Sequence, residues 1–283
     1  MSAVRTDIRS DGVAVLTLDQ AGGKVNVLNE ELWTDVEAAV DALAWNAGIR
    51  GLVLASAKPG VFIAGADLKL LADATGPNDP AVRTFIERGL RVLAKLEALP
   101  FPTCAAIDGA ALGGGLEVAL AFDYRIAGSS EKVKLGLPEL TLGLIPGWGG
   151  TQRLPRIIGL EAAAEMVVSG RAASGANAAV TGLVDRTIDS AHLIGEAVAL
   201  VLSTNHTEAR TRKREPITDT EFTTGTTAVA TTTAAREALR VMTEGTALPF
   251  PEGIKLETEA FVNLAGSRES KQLINAFFAS RKR

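Results

Sequence analysis

Three consecutive glycines, Gly113, Gly114 and Gly115, follow the apolar run Thr103–Ile107 and lead straight into Leu116-Glu117-Val118. No other feature limits the fold so tightly. Each glycine placed in a helix costs roughly 1 kcal/mol against alanine. A chain that tolerates three at a helix opening needs bare backbone there, so that something can press against it. The segment predicts a strand, a turn, and a helix whose first turn is stripped of side chains. Unpaired peptide N–H groups and a positive dipole end at such a helix suit an oxygen carrying negative charge. That is the physics of an oxyanion hole. Glu117 stands one turn on, within reach of whatever that oxygen belongs to.

Around this segment the first half of the chain alternates short apolar runs with longer helical patterns. Strands are predicted over 13–18, 51–55 and 103–107, and amphipathic helices over 30–44 and 80–99. Pro102 and Asp108-Gly109 bracket the third strand. Such alternation argues for α/β architecture. Beyond Gly159 strands nearly vanish, and helices are predicted over 161–168, 175–181, 192–202, 234–243, 251–264 and 269–280. The threonine-rich stretch 217–233 reads either as a solvated loop leading into a helix or as a mobile cover over a site, and the run Arg210-Thr211-Arg212-Lys213-Arg214 as a solvated loop. The late apolar stripe Phe261, Leu264, Leu273, Ile274, Phe277 and Phe278 either packs on its own domain or meets another subunit.

Composition narrows the chemistry. The 283 residues carry a formal charge of −4, which does not favour a nucleic-acid partner or an anionic membrane. A single cysteine, Cys104, rules out an internal disulfide and any multi-cysteine metal site. His192 and His206 are the only histidines and sit in no ligand-like or nucleophile-like pattern. No run approaches the ~20 apolar residues of a membrane span, and the N-terminus has no signal-like apolar region. The reading is a cytoplasmic protein.

Two further segments can join the glycine run. In Val61-Phe62-Ile63-Ala64-Gly65-Ala66-Asp67-Leu68-Lys69, small residues leave a strand end open and Asp67 can cap the helix that follows. A second N–H, from Ala66, could then face that of Gly114, and two donors converging on one carbonyl oxygen are what enolate stabilisation requires. In Leu137-Pro138-Glu139-Leu140, Glu139 is a carboxylate among apolar neighbours just after a strand-stopping proline. It lies far enough beyond Glu117 for the chain to turn back and face it. Two carboxylates in one apolar pocket push each other's proton affinities apart and can divide acid and base roles.

Taken together, Ala64-Gly65-Ala66-Asp67, the stretch from Ala111 through Gly113-Gly114-Gly115 to Glu117, and Pro138-Glu139 through Gly149-Gly150-Thr151-Gln152-Arg153-Leu154 resemble the crotonase superfamily, the enoyl-CoA hydratase/isomerase group. Lys24-Val25-Asn26-Val27-Leu28-Asn29 resembles its early segment and Gly182-Leu183-Val184-Asp185 its later turn and strand. The end of the chain, Ser267 to Phe278, is more similar to the hydratase portion of multifunctional β-oxidation enzymes.

The resemblance implies a ββα spiral core over 1–205 and a helical C-terminal trimerisation region over 206–283, with trimers often paired into hexamers. It implies that the N–H groups of Ala66 and Gly114 hold a thioester oxygen while Glu117 and Glu139 hold and activate a water. Ala64, Ala66, Asp67, Leu68 and Lys69 would wrap the CoA adenine and pantetheine, with Lys24 and Val25 on the other side. The implied reaction hydrates trans-2-enoyl-CoA to 3-hydroxyacyl-CoA as in fatty-acid β-oxidation, with coenzyme A entering only as part of the substrate and no metal or other cofactor. Two rivals are a Δ3,Δ2-enoyl-CoA isomerase, which needs only one placed base, and a non-catalytic binding protein on the same fold. Trp148 either narrows the acyl end of the pocket or packs beneath the Gly147–Gly150 loop.

Overall fold

The computed structural model describes residues 2–218 and 230–280. In chain order the elements are β1 (Val4–Ile8), β2 (Val13–Leu18), α1 (Glu30–Ala44), β3 (Gly51–Ser56), β4 (Gly60–Ile63), α2 (Lys69–Asp73) and α3 (Pro80–Glu97). Next come β5 (Thr103–Ile107), β6 (Gly109–Leu112), α4 (Gly114–Ala121), β7 (Tyr124–Gly128) and β8 (Lys134–Gly136). A 3-10 turn (Glu139–Leu142) leads to α5 (Gly150–Ile158), α6 (Leu160–Ser169), β9 (Ala173–Ser174), α7 (Gly175–Val180), β10 (Arg186–Ile188), α8 (Leu193–Ser203) and α9 (His206–Arg212). Three long helices follow: α10 (Thr233–Ala247), α11 (Phe250–Leu264) and α12 (Arg268–Ser280). The α/β class read from the sequence is the class observed.

The chain forms two compact units that take up alternating stretches. The first comprises residues 1–66, 91–135 and 173–213. It holds a six-stranded sheet ordered β1-β2-β3-β5-β7-β10, in which β1 runs antiparallel to β2 and the other neighbours are parallel. A second sheet is ordered β4-β6-β8-β9. Parallel strands buried on both faces read as continuous apolar runs, which is why every residue of β5 is buried. Period-two alternation sends Val13, Val53, Cys104 and Ala106 against α8. On the opposite face Leu16, Leu18 and Leu54 meet Leu32, Val36 and Val40 of α1 and Leu93 and Leu96 of α3.

The predicted ends of α1 hold because Asn29 caps it, accepting from the N–H of Leu32 at 2.9 Å. The basic run at 210–214 departs from its expected solvated loop. Arg210 lies on α9 and pairs with buried Asp123 at 2.7 Å while donating to the carbonyls of Leu99 and Phe101. Lys213 is also buried, and its ammonium donates to the carbonyl of Phe122. Partners from distant stretches of chain, invisible to local composition, draw these cations inward.

The second unit comprises residues 67–90, 136–172 and 214–283. Its core is helical, with Val241 and Met242 of α10 fully buried. Glu257, buried on α11, accepts from the N–H groups of Gly149 and Thr151 at 2.6 and 2.9 Å and so satisfies the N-terminus of α5. Of the late apolar stripe, Phe261 and Ile274 are buried within this unit, and Leu264, Leu273, Phe277 and Phe278 are half-buried. The threonine-rich stretch falls mostly outside the described residues. At its described end Thr232 caps α10 through the N–H of Ala235.

Candidate active site

In the first unit the glycine run does what its composition predicts. Gly113 takes φ 55° and ψ −129°, a conformation open only to glycine at low cost, and becomes the N-cap of α4. A Cβ on Gly115 would lie 2.3 Å from the carbonyl oxygen of Ile63, so the bare helix opening lets α4 sit directly against the end of β4. All eight residues of α4 are buried, and Glu117, in its first turn, is 1% exposed. A carboxylate so deep is costly unless something compensates it.

The segment after β4 is fixed by Asn26. Its side chain donates to Ser56 Oγ at 2.9 Å and to the Phe62 carbonyl at 3.1 Å, and its own carbonyl accepts from the N–H of Ala64 at 2.9 Å. Two residues on, the N–H of Leu28 takes the carbonyl of Gly65 at 2.9 Å, making the parallel bridge between Leu28 and Ala66. Because the peptide bond is planar and trans, the N–H of Ala66 points opposite to that carbonyl, away from Leu28. Gly65, at φ 122°, permits the bend, and a Cβ there would lie 3.4 Å from the carbonyl oxygen of Leu112, the residue before Gly113. The first unit thus brings together Ala66, Gly114 and Glu117. Ala64 is half-buried beside them in sequence, Val25 is half-buried and Lys24 is exposed.

Glu139, Asp67, Leu68 and Lys69 belong to the second unit. Pro138, expected to stop the preceding strand, is followed by the 3-10 turn that Glu139 opens, and both Glu139 carboxylate oxygens are shielded from solvent. The turn is closed by Gly143 in the left-handed region, whose N–H donates to the Leu140 carbonyl at 3.0 Å, and by the N–H of Leu144 on the Glu139 carbonyl at 3.2 Å. Asp67 caps as expected, taking the N–H of Lys69 at 3.0 Å, and Lys69 is exposed at the start of α2.

These elements carry a recognised signature. The sequence model described as enoyl-CoA hydratase/isomerase matches residues 8–282. The chain belongs to the enoyl-CoA hydratase/isomerase family. An enoyl-CoA hydratase from Bacillus anthracis is 30% identical and superposes with a TM-score of 0.65 over 98% of this chain and 96% of that one. DspI from Pseudomonas aeruginosa is 29% identical, with a TM-score of 0.66 over 75% and 84% of the two chains. An enoyl-CoA hydratase from Mycobacterium avium subsp. paratuberculosis, at 20% identity and TM-score 0.72 over 98% and 96%, shares the fold.

Within this family member, sequence reasoning missed two buried groups close to the site elements. Asn26 was legible only as part of a motif, and nothing in its neighbours signals that its one amide ties the end of β3 to β4. Lys213 was masked by the charge run around it.

Proposed function

We propose that the protein is an enoyl-CoA hydratase, adding water across the 2,3 double bond of trans-2-enoyl-CoA. The observation that carries this reading is a carboxylate, Glu117, buried one turn into a helix whose opening is bare peptide. The thioester oxygen would lie on the N–H groups of Ala66 and Gly114, which stabilise the negative charge that develops there as the enolate forms. Glu117 and Glu139 would hold one water between them. One, as base, directs it onto C3 while the other, as acid, delivers a proton to C2. Burial of both carboxylates supports this, since water-poor surroundings strengthen the action of each on a bound water.

The CoA portion would run along Ala64, Ala66, Asp67, Leu68 and Lys69, with Lys24 and Val25 opposite. Exposed Lys24 and Lys69 are suited to its phosphates. The chemistry calls for no metal or redox group. We extend the reading to a cytoplasmic homotrimer or dimer of trimers built through 206–283, for which the half-buried Phe277 and Phe278 give an apolar face.

The test is a turnover profile over enoyl-CoA thioesters from four to sixteen carbons, with a 3-enoyl-CoA included. The reading expects loss of the conjugated-thioester absorbance and formation of 3-hydroxyacyl-CoA. Conversion of the 3-enoyl thioester with no hydroxyacyl product would instead assign an isomerase.

A further inference from the structure

Between β2 and α1 the chain swings out as a loop, Ala21 to Val25, and returns. Ala21, Gly22, Gly23 and Lys24 are exposed, and Gly22 sits at φ 77° with nothing within 4 Å of where a Cβ would be. Among the described residues no hydrogen bond or ion pair holds the loop itself to the rest of the first unit. Its base is tied down instead. Gln20, 8% exposed, accepts the N–H of Val27 on its side-chain oxygen at 2.9 Å and donates its amide nitrogen to Asn29 Oδ1 at 3.0 Å. The backbone N–H of Gln20 donates to Asn26 Oδ1 at 3.1 Å. Just before it, the N–H of Asp19 donates to the Ala3 carbonyl at 2.8 Å, and the Asp19 carboxylate pairs with Lys58 at 2.8 Å.

Both ends of the Gln20 amide land beyond the loop, seven and nine positions on, so this one side chain staples the exit of the loop to its entrance. Paired glycines leave a loop with much conformational freedom to lose. A contact made from an unstapled loop is weakened by the cost of ordering it, and a preformed loop avoids that cost. The exposed cation of this loop is Lys24. The partners of Gln20 serve the rest of the site: Asn26 fixes the strand end that presents Ala66, and Asn29 caps α1. The staple therefore ties Lys24 to the same frame as the Ala66 N–H.

We infer that Gln20 is a positioning residue for the carrier end of the substrate: it holds Lys24 at a set separation from the Ala66 donor, so that a phosphate of the coenzyme and the thioester oxygen are met together. The inference rests on the roles proposed for Lys24 and Ala66, and Gln20 itself touches no substrate. Loss of a well-placed charge-assisted bond to phosphate is worth about tenfold in affinity. Such a bond is the same in ground state and transition state, so its loss belongs in KM and leaves kcat alone.

Gln20→Met keeps the length of the side chain and the backbone N–H on Asn26 while removing both amide bonds. It is assayed with crotonyl-CoA and with crotonyl-N-acetylcysteamine, a thioester that carries no phosphate. The expected result is a KM for crotonyl-CoA about tenfold higher, kcat within about twofold, and an unchanged kcat/KM for the short thioester. Lys24→Ala is expected to show the same pattern. In the Lys24→Ala background Gln20→Met then adds less than about twofold, because two residues acting through one contact are not additive. An unchanged KM, equal losses on both thioesters, or independent effects of the two substitutions overturn the inference and leave Gln20 a fold element. Should Gln20→Met fold poorly, Gln20→Glu, which keeps the acceptor for Val27 and loses the donor to Asn29, carries the same comparison. Calorimetric binding of free coenzyme A needs no turnover. A wild-type protein that binds coenzyme A about tenfold more tightly than Gln20→Met but hydrates nothing would sink the hydratase reading and uphold the role of Gln20. A wild-type protein that binds no coenzyme A overturns both.

Discussion

The indole nitrogen of Trp148 rests on the backbone of α3 at Gly89, where a Cβ would lie only 2.3 Å from it. The same nitrogen donates to the carbonyl of Ile86 at 3.1 Å, and the ring meets Phe85 edge-on with centroids 5.3 Å apart. A glycine in the middle of an 18-residue helix is thereby explained: it is the socket for a tryptophan 2% exposed. Of the two roles open to Trp148 from sequence, packing is the one these contacts support. Gly89→Ala gains about 1 kcal/mol of helix propensity but forces the pinned indole aside, which costs about 1–3 kcal/mol. The expected outcome is a net loss of stability in urea unfolding, where an exposed glycine in a helix would give a gain.

Arg210 and Asp123 form an ion pair whose carboxylate is buried and whose cation also serves two carbonyls. Removing one partner of such a pair strands the other charge, at a cost of about 3–5 kcal/mol. Arg210→Met should lower the urea midpoint by a corresponding amount, without changing the slope with denaturant. Arg214, exposed in the same run, should be replaceable within about 0.5 kcal/mol.

Asn26 fixes the strand end that presents Ala66, so its loss should register in both stability and rate. Asn26→Ala leaves the Phe62 carbonyl and Ser56 hydroxyl without their donor, worth about 1–3 kcal/mol. Under the proposed mechanism kcat should fall about tenfold or more, because a misplaced oxyanion donor acts on the transition state rather than on binding. Thermal melting and hydration kinetics on the same samples check both parts.

Much of this was legible in the sequence where the signal is local. The strand Val13–Leu18, the helix Glu30–Ala44 and the strand Thr103–Ile107 have their predicted ends because alternation, an asparagine cap and flanking proline or Asp-Gly all act within a few residues. Strand β6, by contrast, is four residues of glycine, alanine and leucine with no readable period, and it exists because β4 lies beside it with Gly60 opposite Gly109. Helix α5 begins with glycine and contains Pro155, both helix-averse, and is held by Glu257 from over a hundred positions away. In the candidate site, Glu117 and Gly114 were singled out because three consecutive glycines at a helix opening demand a reason, and Ala66 because small residues leave the end of β4 open. Lys213 was not, since burial of a charge is decided by partners that composition does not reveal.

Cys104 gives a pH signature. Burial pushes its thiol up to about 12 from the ordinary 9.0. A folded-state value above the unfolded one means the associated stability is complete below pH 9 and drains away as pH rises toward 12, because only the unfolded chain then releases the proton. The thiol should resist alkylation at pH 8 in the native protein and react once urea unfolds it. Free-thiol titration across a urea series checks this.

The most direct test of the account is steady-state hydration of crotonyl-CoA by Glu117→Gln, Glu139→Gln and the double variant, each confirmed folded. Two carboxylates acting on one water predict that each single change lowers kcat by about a thousandfold or more, with KM changed only a few-fold. They also predict that the double variant is little worse than either single, as residues working as a unit behave. A Glu117→Gln enzyme within about tenfold of wild type would contradict the account.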